Sequence, residues 1–169
     1  MTDRIINKIA KSGIISLDLT NYAPDFIILE LDIKQFLLNG FILKEKDFRA
    51  SLKKFNFKQY QNKVTAIFCS SDCIIPMWAF MLVTAFLNNV TTEIYSGNKE
   101  SVFMQLFMRN IKLSNSLEFK NKKVIVKGCS NVKITGDLYV EITKKLNNIV
   151  DSLMFGEACS AVPVYKKKK

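Results

Sequence analysis

Apolar positions along this chain recur with two different periods, and the changeovers divide it into short strands and amphipathic helices. Phe26-Ile27-Ile28-Leu29-Glu30-Leu31 predicts a first strand, followed by a short helix over residues 33–38 that Gly40 ends. Residues 45–55 predict a helix with Phe48, Leu52 and Phe55 on one face and Arg49, Lys53 and Lys54 nearer water. From Lys63 the alternation becomes regular. A strand over 64–68 ends at Cys69, and an apolar helix over 76–87 follows, with Pro76 suited to its first turn. A strand over 92–95 is closed by Ser96-Gly97-Asn98, and a helix over 100–111 turns Phe103, Leu106, Phe107 and Ile111 inward.

The C-terminal third continues the pattern. A strand over 124–126 ends at Gly128-Cys129. Residues 138–154 predict one long helix with Tyr139, Ile142, Leu146, Ile149 and Leu153 in register, and residues 161–165 an edge strand that tolerates Pro163. At the other end, Ile5, Ile6, Ile9 and Ala10 outline a short amphipathic helix with no cleavage site after it, which does not read as a signal peptide. The alternation predicts a single α/β domain over 1–169, with a mainly parallel sheet flanked by helices on both faces. The region before about residue 62 reads as an N-terminal strand–helix elaboration, and no linker or internal repeat stands out.

The chain's 169 residues and 49% apolar content suit one well-filled core. Its longest apolar run, from Cys73 to Leu87, is shorter than the roughly 20 residues a bilayer requires. A soluble cytoplasmic protein is the expectation. Its cysteines are then thiols or ligands, because cytoplasmic thiols are kept reduced. There is no histidine, which removes Ser-His-Asp and Cys-His catalysis and every histidine-ligated metal. The formal charge of +10 is spread along a chain rich in Lys, Asn and Ile, and an AT-rich genome produces that mixture without a functional cause. It therefore makes a weak case for nucleic acid. Only Lys166 to Lys169 forms a run, which reads as a solvated tail.

Candidate chemistry gathers at three Cys-Ser pairs: Cys69-Ser70, Cys129-Ser130 and Cys159-Ser160. Cys69 and Cys129 each follow a predicted parallel strand, and open α/β sheets bind ligands beyond the carboxyl ends of their strands. On a single sheet the two would share one rim, within reach of Cys159. Three thiolates suit zinc or an iron–sulfur cluster, with Asp72, Cys73 or Glu157 as a possible fourth ligand. A thiolate at a helix N-terminus instead suits a nucleophile or sulfur carrier. Ser70, Ser130 and Ser160 would complete a cofactor or anion pocket with free N–H groups. Against these stands the plain alternative, in which each free cysteine packs as a small hydrophobe. No Cys-x-x-Cys pair is present, so a zinc ribbon or thioredoxin-like motif is not supported.

Other features have ordinary readings. The charges from Lys44 to Arg49 open a helix, Trp78 and Phe80 read as core, and Glu141 reads as a helix-flank carboxylate. No glycine-rich phosphate fingerprint is present.

Four ordered runs carry a resemblance: Phe41-Ile42-Leu43-Lys44-Glu45-Lys46-Asp47-Phe48-Arg49, Phe68-Cys69-Ser70-Ser71-Asp72-Cys73-Ile74-Ile75-Pro76-Met77-Trp78-Ala79, Lys127-Gly128-Cys129-Ser130, and Gly156 to Lys166. Through them the chain resembles the bacterial domain-of-unknown-function family numbered 2480 over essentially its whole length. The resemblance brings no assigned activity. It implies genes placed near the sulfur-mobilisation system, and so a link to cluster or metal handling with iron–sulfur assembly proteins as partners. It also implies family cysteines at Cys69, Cys129 and Cys159, with alanine usual at the position of Cys73. The leading expectation is a cytoplasmic accessory protein that binds a metal or iron–sulfur centre through that trio. A cysteine-dependent sulfur-transfer or thiol enzyme, and a non-catalytic interaction module with structural cysteines, are the alternatives.

Overall fold

The computed structural model describes residues 13–128, 132–157 and 159–168. In chain order its elements are β1 (Ile14–Asp18), β2 (Ile28–Asp32), α1 (Glu45–Lys54), β3 (Val64–Phe68), α2 (Met77–Leu87), β4 (Ile94–Ser96), α3 (Lys99–Leu113), β5 (Lys123–Lys127), α4 (Gly136–Leu146), β6 (Ser152–Phe155) and β7 (Val162–Lys166), with short 3-10 turns between them. The chain is a mixed α/β protein whose described strands form two mostly parallel sheets rather than one. Two compact units carry them, one combining the chain up to Pro24 with Leu106–Lys169, the other being Asp25–Gln105. The N-terminal segment supplies a strand to each sheet, β1 to one and β2 to the other.

In the Asp25–Gln105 unit the order is β2-β3-β4, all parallel. Val64, Thr65, Ala66 and Ile67 of β3 are all buried, which is why this strand is an unbroken run of small and β-branched residues. Phe48 and Leu52 of α1 join Ala79, Val83 and Leu87 of α2 in the unit's core. Edge-on aromatic contacts connect them: Phe36 to Phe48 at 5.9 Å, Phe36 to Phe55 at 5.1 Å and Phe48 to Trp78 at 5.8 Å. Glu30 on β2 accepts the Lys99 N–H at 2.7 Å, so a carboxylate sits at the first residue of α3, where the helix dipole favours it.

The other unit has the order β1-β5-β6-β7, with β1, β5 and β6 parallel and β7 antiparallel at the edge. The expected edge strand is present, with Pro163 at an irregularity in the ladder opposite Met154. The expected long helix over 138–154 is not. The chain leaves the helix at Leu146, turns through Asn147-Asn148, and runs as β6, where Leu153 pairs with Val124. The helical spacing beyond Leu146 is coincidental, and two adjacent asparagines, poor helix formers that favour turns, mark the break. The short N-terminal helix expected around Ile5 to Ala10 lies outside the described residues. No helix among the described residues is long and apolar enough to cross a membrane.

The two units contain the same wiring. From the 3-10 turn before β3 to the end of β4, each landmark has a counterpart 59 residues later: α2 at 77–87 and α4 at 136–146, Gly97 and Gly156. The buried residues Ala79, Val83 and Leu87 correspond to Leu138, Ile142 and Leu146. Asn62 and Asn121 both adopt positive φ, 55° and 56°, and donate their N–H to the carbonyls of Val90 at 3.0 Å and Ile149 at 2.9 Å. Gly97 and Gly156 donate to the carbonyls of Ile67 and Val126 at the ends of the central strands. A Cβ on Gly97 would collide with the Ser101 hydroxyl oxygen. An internal repeat that the sequence does not announce therefore organises both sheets.

The repeat makes a paired prediction. Asn62→Ala and Asn121→Ala should each destabilise the protein by about 1 kcal/mol, because a Cβ-bearing residue without a local hydrogen-bonding side chain pays to enter the left-handed region. Asn→Gly at either site should be close to neutral, as read by urea denaturation.

Candidate functional site

The carboxyl end of β2 and β3 is tied together by one carboxylate. Asp32, the last residue of β2, accepts the Lys34 N–H at 2.9 Å, the Ser70 N–H at 3.0 Å and the Ser70 hydroxyl at 2.5 Å. Burial works against its charged form, but the Ser70 hydroxyl, the two N–H donors and the Lys34 ammonium outweigh it and hold the carboxyl below its ordinary value. Ser71 extends the tie by donating its hydroxyl to the Gly40 carbonyl at 2.6 Å, joining the 69–76 loop to the turn at 38–42. Ser70 is thus committed to Asp32.

Cys69 follows β3 directly, and it and Cys73 are free, half-buried thiols packed against the unit's core. Burial pushes the Cys69 thiol up, and Cys73 and the Asp32 carboxylate push the same way, outweighing the hydrogen bond from the Ser71 N–H. Cys69 is therefore protonated at neutral pH. Asp72 is exposed to solvent.

Glu157, Cys159 and Ser160 lie in the other unit, exposed in the turn between β6 and β7. The Ser160 N–H donates to the Glu157 carbonyl at 2.9 Å, and the Cys159 thiol makes only a 4.0 Å contact with the Ser160 hydroxyl. Cys129 and Ser130 lie outside the described residues. The expected shared rim is not formed by one sheet, because β3 and β5 belong to different sheets. The repeat explains why Cys-Ser recurs after a strand: Cys69-Ser70 follows β3 and Cys129-Ser130 follows β5, the corresponding strand, one residue later. Among the described residues no three Cys, Asp or Glu side chains are placed to hold a metal ion.

Arg49 pairs with Glu45 at 2.9 Å and lies 5.8 Å from the Trp78 ring. Trp78 and Phe80 pack against the core, and Glu141 pairs with Lys144 at 3.4 Å on the flank of α4. Lys166 is not in a tail but closes β7. What sequence reasoning missed is exposed apolar surface beside the Asp32 tie: Ile74, Met77 and Met81, with Phe41 and Ile42 in the joined turn. The signal is in the spacing, since Met77 and Met81 are one turn apart and off the face set by Ala79, Val83 and Leu87.

Two outcomes follow. At pH 7 Cys159 should react with iodoacetamide at least about tenfold faster than Cys69, and the Cys69 rate should climb until well above the usual thiol pKa. Asp32 has a depressed folded-state pKa, so its stabilisation is present above the ordinary carboxyl value and is lost as pH falls through the lowered one. Asp32→Asn should cost about 1 kcal/mol at pH 7 in thermal melts, with the gap to the parent protein closing as pH falls below the ordinary carboxyl range.

No curated protein and no solved structure matches this chain. The family model described as Protein of unknown function (DUF2480) matches residues 3–167, nearly the whole length, and the chain belongs to that family.

Proposed function

We propose that this is a cytoplasmic accessory protein that binds another protein and performs no turnover chemistry, with Cys69 and Cys73 serving as packing residues. The apolar surface at α2 carries the reading: Ile74 is 96% exposed, Met77 and Met81 are each 72% exposed, and Phe41 is 61% exposed. Of these exposed positions, Ile74 corresponds to Lys133 in the other unit, while Met77 and Met81 correspond to Gly136 and Val140. Soluble proteins rarely leave such surface uncovered, and methionine adapts well to a partner.

A metal or iron–sulfur centre at Cys69, Cys129 and Cys159 needs all three in one coordination sphere. Among the described residues no three Cys, Asp or Glu side chains are placed to hold a metal ion, and Cys129 lies outside those residues. A raised thiol also suits a packed residue better than a nucleophile.

Met77→Glu combined with Met81→Glu should leave the melting temperature within about 3 °C, as surface changes do. A photo-crosslinker at position 74 should trap one discrete protein in cells, and this pair of substitutions should abolish the product. Unchanged crosslinking in the double variant would overturn the reading. So would stoichiometric metal or acid-labile sulfide in anaerobically purified protein that disappears when Cys69, Cys129 and Cys159 are replaced by serine.

A further inference from the structure

The unit containing β5, β6 and β7 carries a second feature at the opposite end of its sheet from Gly128 and Gly156. Lys123 opens β5 and is in register with Ser152, which opens β6, and Ser152 is in register with Lys166, which closes β7. Residues in register on neighbouring strands project to the same face, so Lys123, Ser152 and Lys166 form one row across three strands. Strand spacing puts the two lysine backbones about 10 Å apart with the serine between them. Lys168 lies two residues beyond Lys166, and the ladder continues past β7 through the Lys167 N–H to the Asp151 carbonyl at 2.9 Å. These residues line a cavity of about 410 Å³ whose described walls include Lys123, Lys166, Lys167 and Lys168 but a single carboxylate, Asp151.

Among the described residues these charges are not offset by ion pairs, and the Ser152 hydroxyl has no hydrogen-bond partner there. Edge strands often carry lysine to block pairing with other chains, and that accounts for Lys166 on β7 and Lys168 just beyond it. It does not account for Lys123, because β5 lies inside the sheet between β1 and β6. The repeat sharpens the point: the counterpart of Lys123 is Val64, which is buried.

We infer that this row is a binding site for a small anion carrying two or more phosphoryl groups. Ammonium groups act as point charges toward phosphate oxygens, and three or four of them around one carboxylate match a di- or triphosphate better than a single carboxylate ligand. The volume lies within the range of small-ligand sites. The site is independent of the apolar surface at α2, so either proposal survives the failure of the other.

The test is calorimetric titration of the full chain with inorganic tripolyphosphate and with ATP, at fixed ionic strength, beside sulfate. The expected result is saturable one-site binding of tripolyphosphate that sulfate does not reproduce. Lys123→Ala combined with Lys166→Ala should weaken it by at least about a hundredfold, roughly tenfold for each ammonium group removed. Ser152→Ala should weaken it severalfold, and Lys53→Ala combined with Lys54→Ala on α1 should leave it unchanged. ATP binding tighter than tripolyphosphate assigns a nucleotide; equal affinity assigns the phosphate chain alone. Absence of saturation, equal binding of sulfate, or equal weakening in the α1 variant would overturn the site. So would single-stranded oligonucleotide binding that depends on Lys123 and Lys166 where tripolyphosphate does not bind.

Discussion

Parallel strands cannot be joined by a tight turn, and most of this structure follows from how the chain returns from the end of one strand to the start of the next. After β3 it does so through α2 and after β5 through α4, each of 11 residues. Each return then closes with an asparagine N–H reaching the carbonyl of Val90 or Ile149. That bond joins the entry to the central strand with the exit from the helix, and so fixes where the third strand begins. The buried helix residues are spaced alike in both units because both helices solve the same geometric problem.

Local elements are largely legible in the sequence. The 3.6-residue pattern places α1, α2 and α3 to within two residues, and continuous apolar runs place β3 and β5. β1 escapes because Ile14-Ile15-Ser16-Leu17-Asp18 is short and stands outside the regular alternation. β6 escapes because its apolar residues happen to continue the spacing of α4. The repeat is hidden for a related reason. Side chains at the helix end and the turn after it are retained, as in Leu87-Asn88-Asn89 and Leu146-Asn147-Asn148, while helix core pairs such as Ala79 and Leu138 share only their burial.

The cysteine pattern shows what spacing cannot convey. Two strand ends with the same motif share one rim only when both strands belong to one sheet. With two sheets of similar wiring, the same motif instead follows corresponding strands, one residue later after β5 than after β3. Asp32 has no distinguishing neighbours in the sequence, yet it organises the loop that holds Cys69 through three hydrogen bonds. The exposed methionines of α2 sit in a segment that reads as wholly buried, because composition reveals that a segment is apolar whereas only its neighbours reveal which side is covered.

The interleaved order of the two units also bears on synthesis. β2 meets its partner within a short stretch, Ile28 against Val64, whereas β1 pairs Ile14 with Lys123. A chain emerging from the ribosome can complete the β2-β3-β4 sheet while β1 is still without a partner. β1 is therefore satisfied later than β2, and contacts of such long sequence separation form slowly. Until β5 emerges, the newborn protein carries an open strand whose protection must come from the speed of synthesis or from a chaperone.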